Sequence, residues 1–190
     1  MFEHVTTLLS IILALAMAHI LGSATELLWN RDKVRFSGLH AVWMSNALLG
    51  LPISWITIWE LNSVKRWTGF EIVLQFLPAI VQYFACSLIS MRRDGDEIMD
   101  MRVFYERQRP VIFAAFSLMM IAAMIQTYAD RISLAGPNLA DWIGAEFPIL
   151  LMLAATLIAG WAKPLWLQWT ACVFIFGVES LFLATYAVRG

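Results

Sequence analysis

Six apolar runs, each near the length needed to cross a bilayer, constrain this chain more than any other feature. They extend approximately from Val5 to Trp29, Gly38 to Leu61, Gly69 to Met91, Val111 to Tyr128, Leu139 to Ala162 and Leu165 to Val188. A hydrocarbon core of roughly 30 Å takes about 20 residues of helix. Runs this long and this continuously apolar do not alternate as the strands of a membrane barrel must, so helix is the backbone that satisfies its own polar groups along them. Composition agrees: 61% of the 190 residues are hydrophobic and 14% charged, against about half and a quarter in soluble domains. A soluble chain with a mean hydropathy of +0.72 would expose large adhesive patches. These features predict an all-α polytopic membrane protein, a single domain over residues 1–190 built as a bundle of six transmembrane helices, with the lipid bilayer as its first partner.

Local signals set the boundaries. Thr68-Gly69-Phe70-Glu71 has the spacing of a capping box. Ser37 and Asn138 suit the N-caps of the second and fifth helices, and Pro110 and Pro164 suit the first position of the fourth and sixth. Pro52, Pro78 and Pro148 fall inside helices and each removes one backbone hydrogen bond. Trp29, Trp59, Trp67, Trp142, Trp161 and Trp166 all fall at predicted helix ends, where an amphipathic indole prefers the headgroup level. Trp43 and Trp55 lie deeper. The run from Val5 to Ala16-Met17-Ala18 resembles a cleavable signal, but Met1 to His4 carries no Lys or Arg and the apolar run continues to Trp29, so a retained helix is expected.

Charge gives an orientation. The connections after the first, third and fifth helices hold Arg31, Lys33, Arg35, Arg92, Arg93, Arg102, Arg107, Arg109 and Lys163, whereas the other side holds Lys65, Arg66, Arg131 and Arg189. The positive-inside rule then places both termini on the non-cytoplasmic side of an inner (plasma) membrane. The longest connection leads with Asp94, Asp96 and Glu97 and continues with Ile98, Met101 and Tyr105 at helical spacing. It predicts a short amphipathic cytoplasmic helix over residues 96–108. Its acidic cluster lacks the ligand spacing of a calcium loop.

Several chemistries are excluded or disfavoured. A net charge of −1 provides no basic field for nucleic acid. Cys86 and Cys172 lie in apolar stretches and read as small buried hydrophobes, no CxxC or Cys/His ligand spacing occurs, and neither metal nor cofactor is expected. His19 and His40 differ in depth by roughly 9 Å, too much for a bis-histidine haem. No Ser or Cys sits in a nucleophile motif, so an enzyme is not expected.

Ionisable groups in hydrocarbon cost at least a few kcal/mol and need a reason. Glu71 has its capping box, Asp141 a first helical turn, Glu60 the outer headgroups, and His40 a wet position about one turn inside the second helix. His19, Glu26, Glu146 and Glu179 are harder to dismiss. Glu179 lies about 20 Å along its helix from Trp166, and His19 about 15 Å from the cytoplasmic end of the first helix. Their depths fall within about a turn of each other, and a contact between them is expected. His19, Gly22, Ser23 and Glu26 share one stripe of the first helix, beside the small-residue series Ala14, Ala18 and Gly22 that favours close helix packing. Glu26 and His40 are expected at one depth near the cytoplasmic mouth, with Asn46 level with His19 and Gln82 near the middle of the third helix. Side chains of this kind also occur simply as interhelical hydrogen-bonding groups.

The pattern of His19, Trp29, a short basic turn and His40-x-x-Trp43, followed by four more helices and a connection containing Tyr105, resembles a group of small bacterial inner-membrane proteins with six helices and no assigned activity. The resemblance implies the same architecture and no particular mechanism. Three functional readings stand. The first is passage of a small solute, ion or proton through the bundle as transporter or channel, in a homo-oligomer, with Glu179, His19, Glu146, Glu26, His40, Asn46 and Gln82 as the site. The second is a non-catalytic subunit or assembly factor of a larger membrane complex. The third is a lipid- or quinone-binding protein using the deeper tryptophans.

Overall fold

The computed structural model describes residues 2–59, 68–92, 98–135 and 138–186. Among these described residues, six helices are long and apolar enough to cross a membrane. They are α1 (Phe2–Trp29), α2 (Gly38–Ile58), α3 (Gly69–Ile89), α4 (Met101–Ala135), α5 (Leu139–Trp161) and α6 (Leu165–Thr185). A single 3-10 turn, Arg31–Lys33, leads from α1 into β1 (Val34–Arg35), which pairs in parallel with β2 (Met99–Asp100).

The expected caps are in place with one qualification each way. Glu71 N donates to Thr68 Oγ1 (3.2 Å) and Thr68 N to Glu71 Oε2 (2.7 Å), completing the capping box. Asp141 N donates to Asn138 Oδ1 at 3.4 Å. Ser37 occupies the N-cap of α2 without a side-chain bond, and Pro164 is the N-cap of α6 rather than its first turn. Trp29, Trp59, Trp161 and Trp166 are exposed at helix ends. Glu60, Trp67 and the acidic residues Asp94, Asp96 and Glu97 lie outside the described residues.

One boundary moves substantially. The expected surface helix over 96–108 is not a separate element, because α4 begins at Met101 and continues through Pro110 to Ala135. Met101 to Arg109 are mostly good helix formers. Proline deep in a helix costs one backbone bond and a kink, which neighbouring helices tolerate in a packed bundle. At about 1.5 Å per residue α4 is roughly 50 Å long, well beyond one hydrocarbon thickness. Asp100 caps its start, its Oδ1 accepting from Arg102 N and Val103 N at 3.0 Å each.

Packing contacts close the six helices into a ring in the order α1, α3, α4, α5, α6, α2, with α2 also touching α3 and α4. Helix α2 therefore leans toward the centre, burying Trp43, Met44, Asn46, Ala47 and Leu51. Helix α1 packs through Leu9, Leu13, Ala16, Ile20 and Ser23. The small-residue series does not pack as expected: Ala14, Ala18 and Gly22 are exposed, and a Cβ added to Gly22 would meet nothing within 4 Å. Larger residues one step around the helix make the contact instead, because α1 sits at the rim of the ring.

Candidate functional site

Inside the ring, α2, α3, α4, α5 and α6 converge on a small cavity of about 20 Å³. Its polar lining comes from Asn46 and Trp43 on α2, Gln82 on α3, Thr156 on α5 and Glu179 on α6, and its apolar lining includes Phe116 and Ile175. The approach is made possible by Gly50. A Cβ there would stand 3.5 Å from both Glu179 Oε1 and Gln82 Nε2, so a glycine lets two polar heads meet the α2 backbone. Glu179 is 8% exposed, and its Oε2 has no hydrogen-bond partner among the described residues. Asn46 Nδ2 donates to the Cys172 carbonyl at 3.0 Å, leaving its own Oδ1 without a donor. A cavity of this size holds about one water. Two orphaned acceptors and a nearby amide are the partners such a water needs.

Buried polar side chains continue from this cavity toward both ends. On α3, Gln75 lies seven residues before Gln82 on the same buried face, roughly 10 Å away. Its Nε2 donates to Asp130 at 3.0 and 3.2 Å, while its Oε1 accepts from Gln126. On α6, Gln168, Cys172, Ile175 and Glu179 form one buried stripe. Gln168 Oε1 accepts from Tyr105 at 3.0 Å, and its Nε2 donates to the Ala162 carbonyl at 3.1 Å. Neither the glutamines at positions 75 and 168 nor Asp130 and Tyr105 stood out in the sequence as site residues. The signal available was the seven-residue spacing of Gln75 and Gln82 and the eleven-residue spacing of Gln168 and Glu179, both helical repeats of one face.

His19 does not join this group, and the expected His19–Glu179 contact is absent. The imidazole is engaged on both sides: Arg92 Nη2 donates to Nδ1 (3.2 Å), so the neutral ring carries its proton on Nε2, which donates to Tyr83 Oη (3.0 Å). The cause is topological. In the ring α1 neighbours α3 and α2, with α2 between it and α6. His19 instead lines a separate hollow of about 330 Å³ between α1 and α3, together with Gly22, Ser23, Glu26, Ser90 and Arg92. The polar stripe on α1 thus faces one pocket, and Ser23 Oγ donates to the Met91 carbonyl across it (2.8 Å).

His40 is also not where a wet headgroup position would put it. It is fully buried, its Nε2 donates to the Ile89 carbonyl (2.9 Å), and its ring packs on Phe104 and Tyr105 at centroid distances of 5.4 and 6.3 Å. The extra turns of α4 cover it. Glu26 and His40 therefore do not form a shared mouth. Glu146 is buried on α5, ten residues before Thr156 and so roughly 15 Å from the Glu179 cavity. The deeper tryptophans do not form one lateral site: Trp43 packs edge-on against Phe113 (4.7 Å), whereas Trp55 lines an open groove between α1 and α2 and donates to Ser10 Oγ (3.2 Å). Among the described residues no three His, Cys, Asp or Glu side chains converge on a point that suits a metal.

No family model, curated protein or solved structure matches the chain.

Proposed function

We propose that this protein passes protons across an inner (plasma) membrane, with Glu179 as the carboxyl that takes up and releases the proton in transit. The observation that carries this reading is the Glu179 oxygen left without a partner in a cavity that holds about one water. A carboxyl in the middle of a bundle is expensive, and such groups mark ion and proton pathways when they face the interior. The size of the cavity favours a proton over a larger solute. The buried polar line Asp130, Gln75, Gln82, Glu179, Asn46, Gln168, Tyr105 supplies stations toward both ends, with the intervals of roughly 10 Å on α3 and 17 Å on α6 bridged by transient water as the bundle opens. The basic connections after α1, α3 and α5 lie at one end, which the positive-inside rule assigns to the cytoplasm.

Purified protein in liposomes, driven by a potassium diffusion potential and read with an internal pH dye, tests the assignment. Proton flux is expected with the native chain, partial flux with Glu179→Asp, and background flux with Glu179→Gln. Native flux in Glu179→Gln sinks it.

A further inference from the structure

A second hollow, of about 490 Å³, opens at the end of the bundle where α2, α4 and α6 begin. It is walled by Ser37 and Gly38 of α2, by Arg102, Tyr105, Glu106 and Arg109 of α4, and by Lys163, Gln168 and Trp169 at the start of α6. The cations differ in how far they are compensated. Arg102 Nε sits 2.9 Å from Glu106, so that pair contributes little net charge. Arg109 Nη1 donates to the Ala162 carbonyl at 3.1 Å, and among the described residues neither Arg109 nor Lys163 has a carboxylate partner. Elsewhere at this end, Arg35 faces Asp100 at 3.6 Å and Arg92 is bound to His19. Arg109 and Lys163 thus place two cations that have no carboxylate partner among the described residues in one concave place.

The walls hold these charges in position. Gln168 ties the Ala162 carbonyl and Tyr105 together, and Arg109 bonds the same carbonyl, so the α5–α6 connection is clamped onto α4. The first turns of α2 and α6 also border the hollow without a side-chain cap, adding partial positive charge from their amides. Below the opening, Trp169, Val173 and Phe176 form an exposed apolar stripe on α6 at helical spacing, and Trp166 stands exposed at the headgroup end. A charged cup above an apolar track matches a phosphate that carries acyl chains, the geometry of basic pockets between helices that hold anionic headgroups.

We propose that this hollow binds the phosphate headgroup of an anionic glycerophospholipid, with Arg109 and Lys163 contacting the phosphate and the acyl chains lying along Trp169, Val173 and Phe176. The hollow shares Tyr105 and Gln168 with one end of the proposed proton line, but its test reads lipid binding and not proton flux. The test is the melting midpoint of purified protein in mild detergent, titrated separately with phosphatidylglycerol, phosphatidylcholine and sodium phosphate. Phosphatidylglycerol is expected to raise the midpoint at concentrations where the other two do not. Lys163→Gln combined with Arg109→Gln should weaken that response by roughly thirtyfold in apparent affinity, since each surface cation contributes about one kcal/mol. Lys163→Gln alone, at an exposed position, should weaken it on the order of fivefold, Lys163→Arg should retain it, and Arg35→Gln, which removes the same charge outside the hollow, should leave it unchanged. Equal stabilisation by phosphatidylcholine, or an equal loss in Arg35→Gln, overturns the proposal. Equal stabilisation by sodium phosphate overturns the lipid assignment and leaves soluble phosphate as the ligand.

Discussion

His19 and Glu179 both stand inside membrane-length helices among small and apolar residues, yet the bundle treats them oppositely. The imidazole lies at the rim with a donor on one nitrogen and an acceptor on the other. The carboxyl lies at the centre with one oxygen that no described group reaches. The difference teaches that a fully bonded intramembrane polar group is a structural tie, whereas an orphaned one maintained at a cost is the better mark of function.

Apolar replacement of each residue separates these roles most sharply. Glu179→Leu should reduce proton flux to background while leaving the purified bundle as stable as the native one, or more so by about 1–2 kcal/mol, because it removes an unsatisfied buried oxygen. His19→Leu should do the reverse, lowering stability by about 1 kcal/mol through the loss of its bonds to Tyr83 and Arg92 and leaving flux largely intact. Denaturant unfolding in detergent, run beside the liposome assay, reads both. A destabilised Glu179→Leu together with a flux-dead His19→Leu would invert the comparison and make His19 the functional group.

How much of this was readable beforehand follows from the same physics. Six helices, their caps at Thr68 and Asn138 and the internal prolines were legible, because length, capping chemistry and proline are local signals. The order of helices around the ring was not, because lipid is as apolar as a protein core and the helices carry little periodic contrast between buried and exposed faces. Matching depth brought His19 and Glu179 together on paper, and only the ring order shows α2 standing between their helices. His40 was misplaced for a related reason: Pro110 suggested a late start to α4, yet the helix begins at Met101 and Phe104 and Tyr105 roof the imidazole. Of the seven expected site residues, Glu179, Asn46 and Gln82 line one cavity, since residues costly to bury need a shared interior, but Arg92 looked like one more basic residue rather than the partner of His19.

Two glycines sharpen the contrast at smaller amplitude. Gly50→Ala puts a methyl group in ordinary contact with Glu179 Oε1 and Gln82 Nε2, each 3.5 Å away, and narrows the space open to a water without forcing the helices apart. Flux should fall severalfold with stability little changed. Gly22→Ala, with nothing within 4 Å, should leave flux alone and add about 0.5–1 kcal/mol of stability from helix propensity. Equal flux in both variants would show that the cavity volume is immaterial to passage.

A second carboxylate, Asp100, completes the comparison from outside the membrane spans. Asp100 at the start of α4 accepts from two backbone amides and faces Arg35. The Val103 amide bond, with the Arg102 amide and the Arg35 charge, holds its carboxyl below its ordinary value of 3.8. Because the folded value lies below the unfolded one, the stabilisation is complete above about pH 4 and lost as pH falls through the folded value. Asp100→Asn keeps an N-cap acceptor and loses only the ion pair, whereas Asp100→Ala loses both, so the melting midpoint at pH 7 should fall slightly in the first and further in the second. On acidification the native midpoint should converge on that of Asp100→Asn, since protonation removes the same charge. A gap between the two that does not narrow as the pH is lowered from 7 to well below 3.8 would mean that the aspartate acts at this position through something other than its charge, and the electrostatic tie between the α1–α2 and α3–α4 connections would have to be given up.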